Sequence, residues 1–407
     1  MIVVWINKRD WKTPGPIVNM AVHNAASFAD IGYETHLCIG HGPGTNTNED
    51  LTTFYGLPPQ DKLKIHRVDR WRLGSSSYSF SVFSYALRLI RTLSRRDHVA
   101  VFTRESGFLS PLAWCCRHPR IHGFYELHDL YADLSWMDRK KIGHHRERLY
   151  EHLFLPHISG LICITHAQRE LYRRIFPQIP SCAFPLGTQP MNSDFTPEAK
   201  RKRRTLMYVG RMHTDKGVDL LLSAAGRLAK TGIKSLFWGG KASRIPKLEE
   251  KAKAYGADGS VRFVPFQPPE AMHQAMAEKA SLGGVMLENT FYNRYLTCPV
   301  KALDYLSHGI PAIGSDLPSV HEVLGQAGTY LPPGDEDGFV RAVLRLLNDP
   351  EPYRRMCDLT LRRAAEITWQ KRAGALAAFA EEQMSASACG RRQAVEYPSA
   401  LPIFKKS

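Results

Sequence analysis

The chain has 407 residues, 43% apolar and 23% charged, a length beyond one ordinary core and a balance that excludes a fibrous or low-complexity protein. No stretch approaches the roughly 20 apolar residues that span a bilayer. Eight scattered cysteines without a CxxC pair exclude the usual disulfide framework or zinc site.

A formal charge of +15 points to nucleic acid, an anionic membrane surface or a phosphate-rich substrate. The basic residues fall in small groups: Arg70 with Arg72, Arg95 with Arg96, Arg139 to Lys141, and Lys200 to Arg204. No long basic helix, zinc finger or RNP-type motif accompanies them, so nucleic acid is the weakest of the three. The opening MIVVWINKRDW reads as a buried strand without the regions of a signal peptide. A cytoplasmic location is therefore expected.

Short apolar runs at 2–5, 35–39, 99–102, 123–127 and 160–164 predict strands, and apolar residues at helical spacing predict helices over 17–31 and 80–93. Strands alternating with helices imply parallel βαβ units, whose ligands sit at the carboxyl ends of the strands. Residues 185–204, rich in Pro, Ser, Asn and basic side chains, read as a linker. A second series of strands is predicted at 205–209, 235–238, 261–264, 284–287 and 312–314, with a helical pattern over 351–384. The polar tail 385–407 is expected to be disordered. The fold class is thus α/β, with two doubly wound domains, 1–188 and 189–365, and a deep cleft between the halves.

The most informative segment is Tyr208-Val-Gly-Arg-Met-His-Thr-Asp-Lys-Gly-Val-Asp219. After a strand ending at Val209, Gly210 lets the backbone pass close to a ligand. Arg211 and Lys216 bring two cations to that strand end, just before a helix starting near Gly217. Such a site suits a diphosphate; the plainer reading is two surface charges near a turn. A second segment runs from Thr297-Cys-Pro-Val-Lys-Ala-Leu-Asp304 to Glu322. Pro299 suits the first turn of a helix, whose free amides suit phosphate oxygens. Lys301 and Asp304 share a helical face, so Asp304 is placed to accept both hydroxyls of a ribose, or else simply to pair with Lys301.

The two segments resemble the donor-binding signatures of glycosyltransferase family 4, the first its YVGR…KG…LL.A stretch and the second its SP.K..EYMA.G.PV..SD.P…E stretch. Gly15-Pro-Ile-Val-Asn-Met is similar to that family's N-terminal glycine loop, and Phe124-Tyr-Glu-Leu-His-Asp129 to one of its strand ends. The likeness covers roughly residues 10–380 and is more specific in the C-terminal half. It implies the GT-B fold, with two Rossmann-like domains and, from the likeness around Trp369, a helix 366–384 crossing back to the first, and transfer of a sugar with retention.

By that resemblance Arg211 and Lys216 bind the donor diphosphate, Asp304 takes the ribose, and the amides around Thr297, Cys298 and Lys301 complete the phosphate site. Pro265 and Phe266 lie where the family contacts the base, and Gly15 beneath the diphosphate. His128, flanked by Glu126 and Asp129, stands at the sugar end, where it orients the donor or stabilises charge at the anomeric carbon. The first of the family's two glutamates falls on Leu296, with Glu288 eight residues too early, and the second is shortened to Asp304.

The implied donor is a UDP- or GDP-sugar, with no permanently bound cofactor and no metal required. The expected acceptor is a saccharide or a lipid-linked saccharide in cell-surface polysaccharide or glycolipid synthesis. The aromatic and basic segments 71–83 and 136–147 suit an anionic leaflet, which adds the inner face of the cell membrane to the expected locations. Leu296 and Asp304 also suit an inactive nucleotide-binding scaffold. A nicotinamide-dependent oxidoreductase is disfavoured because no GxGxxG follows any strand.

Overall fold

The computed structural model describes residues 1–73, 76–191 and 195–388. Two compact units divide the chain. The first comprises Met1–Thr52, Leu57–Phe184 and the chain from Arg372 on; the second comprises Thr53–Gly56 and Pro185–Lys371.

The first unit runs β1 (Ile2–Asp10), α1 (Pro16–Asp30), β2 (Thr35–Gly40), α2 (Thr47–Tyr55), β3 (Leu63–Val68), a hairpin of β4 (Trp71–Leu73) and β5 (Ser76–Tyr78), and α3 (Phe80–Leu93). It continues with β6 (Val99–Thr103), α4 (Leu109–Cys115), β7 (Ile121–Leu127), α5 (Ile142–Phe154), β8 (Gly160–Cys163), α6 (His166–Ile175) and β9 (Ser181–Ala183). Seven strands form a parallel sheet ordered β3-β2-β1-β6-β7-β8-β9. Helices cover both faces of such a sheet, which is why Ile2 to Ile6 are buried without alternation. Trp5, Phe102 and Phe124 sit in register on neighbouring strands and stack at 5.3 and 5.1 Å. Each offset pair adds about 0.5–1.5 kcal/mol beyond its burial.

The second unit contains α7 (Pro197–Lys202), β10 (Thr205–Val209), α8 (Val218–Ala229), β11 (Lys234–Gly240), α9 (Ile245–Ala254), β12 (Val261–Pro265), α10 (Pro269–Lys279) and β13 (Leu282–Val285). A π-helical turn, Tyr292–Leu296, leads to α11 (Val300–Ser307), β14 (Ala312–Ser315), α12 (Pro318–Leu324), β15 (Gly328–Leu331), α13 (Glu336–Asn348) and α14 (Pro350–Glu366). The last helix, α15 (Trp369–Ala388), straddles the division. The sheet is parallel, ordered β12-β11-β10-β13-β14-β15, so its order reverses between β10 and β13. Pairing of those two strands ends at Met207 with Gly283. There the buried Tyr305 hydroxyl donates to the Met207 carbonyl at 2.8 Å and accepts from the Val209 amide at 3.2 Å. One side chain thus satisfies backbone groups that the parting strands leave behind.

Several sequence expectations need correction. The strand expected at 284–287 is Leu282–Val285, and the helical pattern over 351–384 is two helices that break near Thr368. The second runs to Ala388, so 385–388 are helical; the remainder of the expected tail lies outside the described residues. The stretch 185–204 is not all linker. Thr196 caps α7 through the Ala199 amide, and Lys200 is buried with its ammonium on the His308 carbonyl at 2.7 Å. Strands β3, β9 and β15 and the β4–β5 hairpin carry apolar runs too short or too polar to read from sequence.

Candidate functional site

The switch point between β10 and β13 is where an open α/β sheet offers a ligand crevice at its strand ends. After β10 the chain turns through Gly210, at φ +117°, into Arg211. The Tyr208 hydroxyl donates to the Arg211 carbonyl at 2.6 Å and fixes the turn, while the Arg211 side chain stays exposed. A short 3-10 turn, Thr214–Lys216, then reaches Gly217, the residue before α8. Gly217 has φ +74°, and a Cβ there would stand 1.6 Å from the Met286 carbonyl oxygen, so only glycine fits.

Lys216 is half-buried. Its ammonium donates to Asn293 Oδ1 at 2.9 Å and lies 3.2 Å from Asp215. Asn293 is fully buried, and its own amide donates to the carbonyls of Asp215 and Glu288 at 2.9 and 3.0 Å. The loops that follow β10 and β13 are therefore tied together through one carboxamide. Asn293 was not singled out from the sequence, because an isolated Asn in a tyrosine-rich loop carries no motif. Leu296, at the family's first glutamate position, is fully buried, and Glu288 is exposed.

Thr297 is extended, Cys298 is buried, and Pro299 is the cap residue of α11 rather than part of its first turn. Lys301 folds beneath the Gly210 turn, its Cε 3.9 Å from where a Cβ on Gly210 would stand. Its ammonium is shut from solvent, has no hydrogen-bond partner, and lies 3.9 Å above the Tyr208 ring. The ring face offsets only part of the cost of burying that charge. Burial, reinforced by the nearby charge of Lys216, pulls the Lys301 amine down to about 7. Burial likewise pushes the Asp304 carboxyl up to about 7, against the pull of Lys301. The two share a face of α11 but form no ion pair, so each is left to meet something else.

Pro265 ends β12, and the Phe266 amide donates to the Gly240 carbonyl at 3.0 Å, leaving the Phe266 ring 37% exposed. Two inter-strand steps of about 4.8 Å separate this strand end from β10.

In the first unit, Gly15 precedes α1 at φ +108°, just past the end of β1. His128 follows β7, its Nε2 2.6 Å from Glu126 Oε1. The other Glu126 oxygen meets Arg372 at 2.7 Å, both side chains being 2% exposed. Burial first, and Arg104 second, lower the His128 imidazole to about 4, so the ring is neutral near pH 7 and donates to Glu126. Glu126 stays ionised, held well below the usual carboxylate range by Arg372 and His128 against its burial. Among the described residues no group of His, Cys, Asp or Glu is arranged to hold a metal ion, and no helix is long and apolar enough to cross a membrane.

Comparison with known proteins bears on the same segment. The family described as Glycosyl transferases group 1 matches residues 203–349. Alpha-D-kanosaminyltransferase of Streptomyces kanamyceticus is 28% identical over 159 residues, 38% of this chain and 39% of that one. The chain thus aligns with only about two-fifths of that relative. The sucrose-phosphate synthase structure from Thermosynechococcus elongatus superposes with a TM-score of 0.67 at 14% identity, covering 94% of this chain and 99% of the other. HepE of Anabaena, solved with UDP-glucose, gives 0.64 at 13% identity, over 93% and 99%. At such identities the likeness is one of fold, two Rossmann-like α/β domains of GT-B type. Residues 203–349 thus match the group 1 glycosyl transferases, and the fold of the chain is similar to that of the GT-B glycosyltransferases.

Proposed function

We propose that the protein is a retaining glycosyltransferase that moves a sugar from a nucleoside diphosphate sugar, UDP- or GDP-linked, to a saccharide or lipid-linked acceptor. One observation supports this reading: the Lys301 ammonium, buried without a partner, belongs to a side chain that folds beneath the Gly210 turn, in front of the loop that carries Arg211 and Lys216. A diphosphate is the ligand that would satisfy such a set. Asp304, one turn along α11, would accept the ribose hydroxyls, and Phe266 stands two strands away on the side proposed for the base. The amides of Thr297 to Lys301 would complete the phosphate contacts.

The leaving group of this transfer is the nucleoside diphosphate. Its developing charge would be neutralised by the three cations, a contribution of positioning and electrostatics. With no carboxylate proposed as nucleophile, the departing phosphate would take the proton of the acceptor hydroxyl on the same face, which gives retention. Gly15 and the neutral His128 are proposed contacts toward the diphosphate and the sugar. HepE, of the same fold, binds UDP-glucose, which supports UDP as the first nucleotide to try.

A peripheral location on the inner face of the cell membrane, in polysaccharide or glycolipid synthesis, is the finer part of the proposal. It is supported by Ile142, Leu149 and Leu153, 91, 54 and 51% exposed along α5, which follows Arg139, Lys140 and Lys141.

A thermal-shift screen with UDP, GDP and ADP tests the donor reading. One of the three should raise the unfolding temperature in a concentration-dependent way. A chain that responds to none of them would end it.

A further inference from the structure

Lys301 carries its nitrogen into surroundings that offer a proton nothing to bond. The atom is shut from solvent and has no hydrogen-bond partner. It lies 3.9 Å from the Tyr208 ring, whose hydroxyl is turned to the Arg211 carbonyl at 2.6 Å. Three further charges act on it. Lys216, on the loop after β10, opposes the proton; Asp215 on that loop and Asp304 on α11 favour it without accepting from it. Lys216 itself is placed differently, with Asn293 Oδ1 at 2.9 Å and Asp215 at 3.2 Å.

Burying an ammonium without an acceptor is costly, whereas a neutral amine rests beside an aromatic ring at far less cost. The empty site therefore favours the neutral form. Burial first, and the charge of Lys216 second, pull the amine down to about 7 in agreement.

The Gly210 turn decides the other state. Lys301 Cε is 3.9 Å from where a Cβ on Gly210 would stand, so the side chain lies beneath bare backbone. That turn leads into the exposed Arg211 and on to Lys216. A negative charge about 6 Å away, at an effective dielectric of about 20, raises an amine's proton affinity roughly a hundredfold. A diphosphate resting on the turn brings more than one such charge, and it acts through the field without touching the buried nitrogen.

We propose that binding of a nucleoside diphosphate is coupled to uptake of one proton from solvent, and that Lys301 is the group that takes it up. The coupling rests on the donor reading above, with the diphosphate on the Gly210 turn. The site then holds its third cation only while the anion is present, and the proton leaves with the departing nucleotide. Binding weakens as pH rises above about 7, because the free site loses the proton before the occupied one does.

Isothermal titration calorimetry of the full chain with UDP, GDP and ADP at pH 8 tests this, run in Tris, tricine and HEPES, which differ in their heats of ionisation. At that pH the Asp304 carboxyl, pushed up to about 7, and the phosphates of the free nucleotide are already largely ionised, so neither sets the proton count. For the nucleotide that binds, binding heat against buffer heat should give uptake of about one proton. Lys301→Met should bring that to about zero, while Asp304→Asn should keep it at about one. From pH 7.5 to 9 the wild-type affinity should fall about tenfold, and that of Lys301→Met should stay within about twofold. Thermal unfolding checks that both variants fold. Wild-type binding heats that are equal in all three buffers would overturn the inference without any variant and leave the donor reading standing. Proton uptake that survives in a folded Lys301→Met would overturn it too. No heat from any of the three nucleotides would sink both readings.

Discussion

The Lys216 ammonium donates to Asn293 Oδ1 at 2.9 Å across 77 residues of sequence. This bond makes the loop after β13 the positioning element for a cation on the loop after β10. Asn293→Leu should lower the affinity for the preferred nucleoside diphosphate by about ten- to a hundredfold, the worth of a hydrogen bond to a charged group. Isothermal titration calorimetry gives the number. Asn293→Asp, which keeps the acceptor, should recover part of it; unchanged affinity in the leucine variant would show that Lys216 is held by other contacts.

Arg211→Ala and Lys216→Ala should each abolish the nucleotide-induced rise in unfolding temperature. A control must come from a cation that supports nothing else. Lys200 is unsuitable because it is buried on the His308 carbonyl, whereas Lys230 is exposed at the end of α8. Lys230→Ala should leave the thermal response intact, and a loss of response there would reduce the two loop residues to general charge effects.

Glu151 gives a pH dependence with a definite sign. Its carboxyl rises from 4.5 to about 8 on folding. Below the lower value it is protonated in both the folded and unfolded chain and contributes no difference. Between the two values it ionises only when unfolded, so the folded chain binds the extra proton and stability falls as pH rises. Urea unfolding at pH 5, 6.5 and 8 should show Glu151→Gln gaining on the wild type step by step. Parallel curves at all three pH values would refute the assignment.

The Arg372–Glu126 pair joins the first turn of α15 to the strand end that carries His128, and both side chains are 2% exposed. Arg372→Met leaves a buried carboxylate unmatched and should cost about 3–5 kcal/mol in denaturant unfolding. Adding Glu126→Leu removes that charge and should restore much of the loss. A double variant no more stable than the single would mean that packing, not charge, sets the cost.

Much of the second unit's site was legible because it is local. Gly210, Arg211, Lys216 and Gly217 lie within eight residues, and the strand–turn–helix pattern alone puts them at a strand end. The same holds for Lys301 and Asp304, three apart on one helix. Asn293 was not legible, since its value comes from meeting Lys216 in space. Nor was Tyr305, whose hydroxyl closes the gap between β10 and β13, because a tyrosine in an apolar helix reads simply as core.

Composition and periodicity by themselves determined that the chain is α/β with parallel sheets, because side-chain pattern and connection length leave few other ways to bury this much apolar surface. They also put Arg211 and Lys216 at the end of β10, because a strand, a glycine turn and a helix follow one another there within a few residues. Tertiary structure alone decided which charges are matched and which are not. That depends on burial and on partners distant in sequence, and an ionisable group's protonation is set by the summed field of its neighbours rather than by its own position in the chain.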